Sequence, residues 1–109
     1  MLNDNMILYN TTVKINHEVH SEWVAWMKVV QLPAMMDTGL ILEYTISRLL
    51  GTDEADGFTY SVQYLMSGFS DYQLYQEKHA AEMQKRMHEK YEGKYVAFRT
   101  VMKVIERNE

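Results

Sequence analysis

Apolar residues recur along this chain with two periods, and the order in which the periods alternate admits few folds. In residues 6–15, MILYNTTVKI, the positions Ile7, Tyr9, Thr11, Val13 and Ile15 alternate with Met6, Leu8, Asn10, Thr12 and Lys14. Period two in β-branched and aromatic residues predicts a strand. Asn16 then stands where a helix N-cap belongs, with Glu18 in the first turn. Val19, Trp23, Trp26, Met27 and Val30 follow at steps of three and four, an amphipathic helix. Pro33 and Gly39 bracket a second short helical piece in LPAMMDTG. LILEYTISRLL, residues 40–50, reads as the second strand, and the acidic GTDEADG, residues 51–57, as a hairpin loop. FTYSVQYLM, residues 58–66, is the third strand. Gly68 breaks it, and Ser70 caps a helix of about twenty residues ending at Gly93. Tyr72, Tyr75, His79, Met83, Met87 and Tyr91 form its apolar stripe. KYVAFRTVMKVIE, residues 94–106, is the last strand.

The order β-α-β-β-α-β predicts an α+β fold, a ferredoxin-like sandwich with a four-stranded antiparallel sheet and both helices on one face. The first and third strands are then central. The chain of 109 residues is read as a single domain, with residues 1–5 and 106–109 as flexible ends. A net charge of −4 argues against a nucleic-acid partner, which calls for a basic stripe. The absence of cysteine excludes disulfides, zinc–thiolate sites and thiol chemistry. No apolar run has the ~18 residues of a membrane span. The start MLNDNMILYN carries no basic segment ahead of an apolar one, so no signal peptide is read and a cytoplasmic location is expected.

The faces of the sheet carry the functional argument. Ile7, Tyr9, Val13 and Ile15, with Tyr60, Val62 and Tyr64 and with Val96, Phe98, Met102 and Val104, are expected to meet the helices. The helix-free face would then hold Leu8, Asn10, Thr12, Thr59, Ser61, Gln63, Leu65, Tyr95, Ala97, Arg99 and Val101. Such a set is neither a solvated face nor a dry core, because a buried unpaired amide costs about 1–3 kcal/mol. It suits a protein interface that encloses a wet pocket. In the second strand the parity leaves Arg48 on either face.

The segments YNTTVKI, HEVHSEWVAWM, LPAMMDTG, SRLL, YSVQY and FRTVMKV together resemble a small uncharacterised bacterial family. That family belongs to the dimeric α/β-barrel superfamily of ferredoxin-like domains. The resemblance spans residues 6–105 and brings no assigned activity with it. It implies a homodimer in which two sheets face each other across a two-fold axis, the helix-free face forming the interface. Edge strands would be covered in the same way.

Asn10, Ser61, Gln63 and Arg99, with Arg48 near the edge, are therefore the candidate ligand-binding residues on that face. An arginine there can hold a carboxylate or phosphate through paired hydrogen bonds. The structural alternative is an interfacial network in which Arg99 pairs with Glu43 across the dimer. His79, on the buried helix stripe, is either a core histidine with one hydrogen bond or a functional base or ligand. Some haem-degrading relatives within the superfamily use a histidine on the second helix and an asparagine on the first strand, so the resemblance places Asn10 and His79 in similar positions. Those enzymes also use a tryptophan in the third strand, and here both tryptophans, Trp23 and Trp26, lie on the first helix. Cofactor-free monooxygenases of the superfamily offer no residue that transfers to this chain. His17 and His20 read as exposed first-turn residues rather than a metal pair, since zinc asks for more ligands. DEADG lacks the spacing of a calcium loop. The expected function is a homodimer binding a small molecule in a semi-polar pocket inside the barrel, with no cofactor and no metal. The alternative is a monooxygenase-like or haem-degrading enzyme.

Overall fold

In the computed structural model, which describes residues 5–108, the alternating segments become β1 (Ile7–Asn16), β2 (Glu43–Arg48), β3 (Gly57–Met66) and β4 (Tyr95–Lys103). They form one antiparallel sheet in the order β2-β3-β1-β4, with the first and third strands central. After β1 come α1 (His20–Trp26), a π turn (Met27–Gln31) and α2 (Leu32–Asp37). After β3 come α3 (Phe69–Lys78) and α4 (Ala80–Tyr91). The core lies between these helices and one sheet face. It joins Ile7, Tyr9, Val13 and Ile15 of β1 and Tyr60, Val62, Tyr64 and Met66 of β3 to Trp23, Met27, Leu32, Tyr75, Met83, Met87 and Tyr91. This is the expected α+β ferredoxin-like sandwich.

Several local expectations are corrected. Asn16 does not cap a helix, because its backbone N–H bonds the Lys94 carbonyl at 2.9 Å and extends the pairing of β1. Residues 17–19 turn, and α1 starts at His20 with no side-chain cap. Glu18 instead accepts a 2.7 Å hydrogen bond from Lys94 Nζ, which holds its carboxyl below the usual range. The long helix expected after the third strand is two helices. His79, at φ −130° and ψ −29°, leaves the helical region and separates α3 from α4. The first helix and the LPAMMD piece are in turn continuous, joined through the π turn. Pro33 has no N–H to give and its ring crowds the carbonyl four residues back, and the widened turn immediately precedes it.

The largest correction concerns β4. Its register pairs Val13 with Ala97, Thr11 with Arg99 and Tyr9 with Val101. Directly opposed residues share a face, so Tyr95, Ala97, Arg99 and Val101 lie on the helix-covered side. Val96, Phe98, Thr100 and Met102 lie on the open side. Val96 and Phe98 are 68% and 63% exposed there. Arg48 pairs with Tyr60 and so takes the helix-covered side as well.

Beyond β4 the chain stays engaged. The Val104 N–H bonds the Met6 carbonyl at 2.8 Å, and Arg107 reaches Glu43 on the far edge strand at 3.2 Å. Arg107 was expected in a flexible end. Of the other residues given to flexible ends, 1–4 and 109 lie outside the described residues.

Candidate functional site

The six residues selected from the sequence occupy four separate places. Asn10, Ser61 and Gln63 are on the open sheet face, as expected. Ser61 Oγ donates to Asn10 Oδ1 at 2.6 Å, and Asn10 Nδ2 donates to Thr12 Oγ1 at 2.9 Å. The Asn10 amide is thus satisfied within its own chain. Gln63 lines a shallow groove with Leu8, Leu65, Val104 and Arg107. Arg48 sits at one end of the sheet, bonded to Glu54 at 2.9 Å and lying 3.7 Å over the Phe58 ring. His17 and His20 meet the same ring edge-on, at 4.6 and 4.5 Å. The His17 ring bonds the Glu54 carbonyl, so this cluster latches the 49–56 loop onto the start of α1.

His79 is half-buried at the α3–α4 break, its ring stacked 6.2 Å from that of Tyr75. It lies in the helix layer, whereas Asn10 points from the opposite side of the sheet. The two do not converge, so the haem-site arrangement implied by the resemblance is absent. Arg99 likewise faces away from Glu43, which pairs with Arg107 of its own chain. Within one subunit the two residues lie on opposite faces of the sheet.

Arg99 leads to a different site. It lines a cleft of about 40 Å³ between the helix layer and the sheet, together with Tyr9, Tyr64, Trp23, Gln31 and Tyr75. Space for one water takes about 10–15 Å³ of such volume, so the cleft has room for a few small atoms and none for a haem. Methionines 27, 35, 83 and 87 complete the walls. Their unbranched, polarizable side chains can rearrange at low cost.

Each polar group in the cleft has a structural cause. Tyr9 and Tyr64 stand on neighbouring central strands, their rings 6.0 Å apart, and Tyr75 approaches Tyr9 from α3 at 5.6 Å. Burial pushes the Tyr64 and Tyr75 hydroxyls well above the usual phenol range, and the mutual proximity of the tyrosines adds to this while Arg99 opposes it. They are therefore neutral hydrogen-bond donors at ordinary pH. The Tyr75 hydroxyl donates only to Met35 Sδ, at 3.4 Å, a weak acceptor that a better one can replace. Two further polar atoms are buried with no partner among the described residues, Trp23 Nε1 and Gln31 Oε1.

Gln31 was missed in the sequence. Helical spacing from Met27 brings Val30 inward, but the π turn advances the inward set by one residue. Val30 is 40% exposed, while Gln31 is 7% exposed and Leu32 and Met35 are buried. Gln31 Nε2 donates to the Met83 carbonyl at 3.1 Å, which fixes the amide orientation and leaves Oε1 unpaired. Single π turns inside helices are frequent at functional sites. The one available signal was Pro33 two residues later in an otherwise helical stretch.

Comparison with known proteins bears on fold rather than chemistry. A family described as a domain of unknown function (DUF4286) matches residues 6–105. Among curated proteins, none matches the chain in sequence. An EthD-like protein from Ralstonia eutropha JMP134 is similar in structure, with a TM-score of 0.68 at 12% identity over 96% of each chain. So is a dimeric ferredoxin-like protein from an uncultured marine organism, at 0.63 and 13%, covering 96% of this chain and 100% of that one. A candidate monooxygenase from Shewanella loihica PV-4 gives 0.60 and 9%, over 94% and 97%.

Proposed function

The chain belongs to the DUF4286 family of unknown function, and from that premise we propose a homodimeric binding protein that holds a small molecule in the helix–sheet cleft of each subunit. The observation that carries the reading is that two residues lining that cleft, Trp23 and Gln31, each hold a buried polar atom with no partner among the described residues, Nε1 and Oε1. Leaving such atoms unpaired costs about 1–3 kcal/mol each. A ligand offering an acceptor to the indole and a donor to the amide recovers that cost on binding.

Binding is favoured over acid–base catalysis by the lining itself. Among the described residues, no histidine, aspartate or glutamate borders the cleft, and general bases are drawn mainly from these types. Likeness in fold to a candidate monooxygenase adds no residue to this count. The open sheet face, with Asn10, Ser61 and Thr12 bonded to one another and Val96 and Phe98 bare, suits an interface with a second copy. Exposed apolar patches of this kind usually mark association surfaces, and a two-fold dimer buries the same patch on both partners. One structurally similar protein is described as dimeric, which is consistent with this.

Native mass spectrometry of freshly purified protein tests both parts. The expected result is a dimer whose subunits carry a small added mass or take one up from a metabolite extract. That uptake should be lost in Gln31→Met. A monomer removes the assembly, and uptake unaffected by the substitution at Gln31 removes the cleft as its location.

A further inference from the structure

The same cleft says what kind of molecule it takes. We infer that its ligand is a compact aromatic anion, a single ring bearing a carboxylate or an equivalent oxyanion. The anion lies against Arg99 and the ring among Tyr9, Trp23, Tyr64 and Tyr75. This rests on the cleft being the binding site.

Charge gives the first argument. Seven ion pairs form among the described residues, and Arg99 takes part in none of them. It is exposed on the side facing solvent and borders the cleft on the other. No acidic side chain borders the cleft to neutralise it. A guanidinium presents a planar fork that fits two oxygens of one carboxylate.

The remaining groups are mostly donors. The Trp23 N–H and the hydroxyls of Tyr64 and Tyr75 can all give a hydrogen bond, and neutral phenols suit an anion's lone pairs. Gln31 Oε1 is the one unpaired buried side-chain acceptor among the described residues, which asks for a single hydroxyl or amine on the ligand.

Shape gives the second argument. The walls are aromatic rings and methionine sulfurs, surfaces that favour a flat ring through stacking and sulfur–ring contacts. A phosphate ester carries up to two negative charges and would meet only one cation, which leaves a buried charge without a partner. The resting volume of about 40 Å³ holds only about three waters, so a single ring enters by displacing the adaptable methionine side chains, and larger fused-ring ligands would need far more displacement.

The test follows the Trp23 indole N–H by nuclear magnetic resonance in the full-length Trp26→Phe protein. Only two tryptophans occur in the chain, so one indole signal remains. Trp26 lies outside the cleft lining. Benzoate and salicylate are titrated beside the neutral benzamide and the ringless acetate. The expected result is a shifted indole signal with benzoate or salicylate, binding roughly tenfold to a hundredfold tighter than benzamide, the range of a charged hydrogen bond. Arg99→Gln should remove that preference, while acetate alone should bind more weakly than benzoate.

Benzamide binding as tightly as benzoate, or an anion preference that survives Arg99→Gln, overturns the anionic ligand and leaves the cleft as a binding site. Acetate matching benzoate overturns the aromatic requirement. No shift with any of the four compounds overturns the aromatic anion as ligand, while the cleft itself still stands or falls by uptake in native mass spectrometry and its loss in Gln31→Met.

Discussion

At the scale of single residues, the cleft concentrates groups that cost the free protein stability. Gln31 is the clearest case, since its amide is half satisfied by the Met83 carbonyl and half unpaired. Gln31→Met keeps the length of the side chain and removes the unpaired oxygen. Urea unfolding should find the free protein as stable as before or about 1 kcal/mol more stable, because relief of an orphaned acceptor outweighs one neutral hydrogen bond. A loss of more than that would mark Gln31 as a structural residue. The buried tyrosines make a second prediction. Burial raises the folded-state values of Tyr64, Tyr75 and Tyr91, the last pushed up to about 12 with help from Glu22. Groups raised above their unfolded value of about 10 stabilise fully below that pH and lose the contribution as pH climbs through the folded values. Stability should therefore be flat from neutral pH to about 10 and fall steeply beyond it. Phenolate absorbance should rise together with unfolding rather than before it.

At the scale of elements, the central pairing of β1 with β3 is the most tightly specified part of the fold. A Cβ at Gly57 would fall onto the Ile15 backbone carbonyl oxygen, and neither strand can move without opening the register. Gly57→Ala should cost about 1–3 kcal/mol in denaturant unfolding, as forced overpacking does. A neutral result would mean that the β1–β3 ladder is looser at that end than its register implies. The helix layer is built differently. The π turn before Pro33 brings Gln31 inward to the cleft, and the break at His79, outside the cleft lining, stacks that ring on Tyr75. Neither irregularity can be read from helical spacing, which assumes a constant turn. Val30 looked like an inward residue on that assumption and is half-way to solvent.

At the scale of the whole molecule, the open sheet face is the proposed interface. Val96 and Phe98 stand bare beside Thr12 and Lys14, and the segment after β4 crosses one end of the same face to reach Glu43. Phe98→Asp sets a charge in the middle of the proposed two-fold interface. Light scattering coupled to size exclusion should then report a monomer with an unchanged far-ultraviolet spectrum. A persistent dimer would place the interface elsewhere. No helix among the described residues is long and apolar enough to cross a membrane.

The sequence by itself determined the element order, the central position of β1 and β3, and the inward faces of those two strands. Their alternation sets strong apolar residues against polar ones, so only one assignment of faces buries the apolar set. It also pointed to Arg99, though for a site on the wrong side of the sheet. Tertiary structure alone decided the parity of β4. There Tyr95, Ala97, Arg99 and Val101 compete with Val96, Phe98, Thr100 and Met102, and both sets are apolar enough to face inward. An edge strand that meets a core on one side and an apolar surface on the other carries no alternation to read. Its register is fixed by hydrogen bonds to β1, some eighty residues earlier in the chain. The same holds for the cleft. Gln31 and Arg99 join Trp23, Tyr64 and Tyr75 through one helical irregularity and one strand register, and both are properties of how the elements pack.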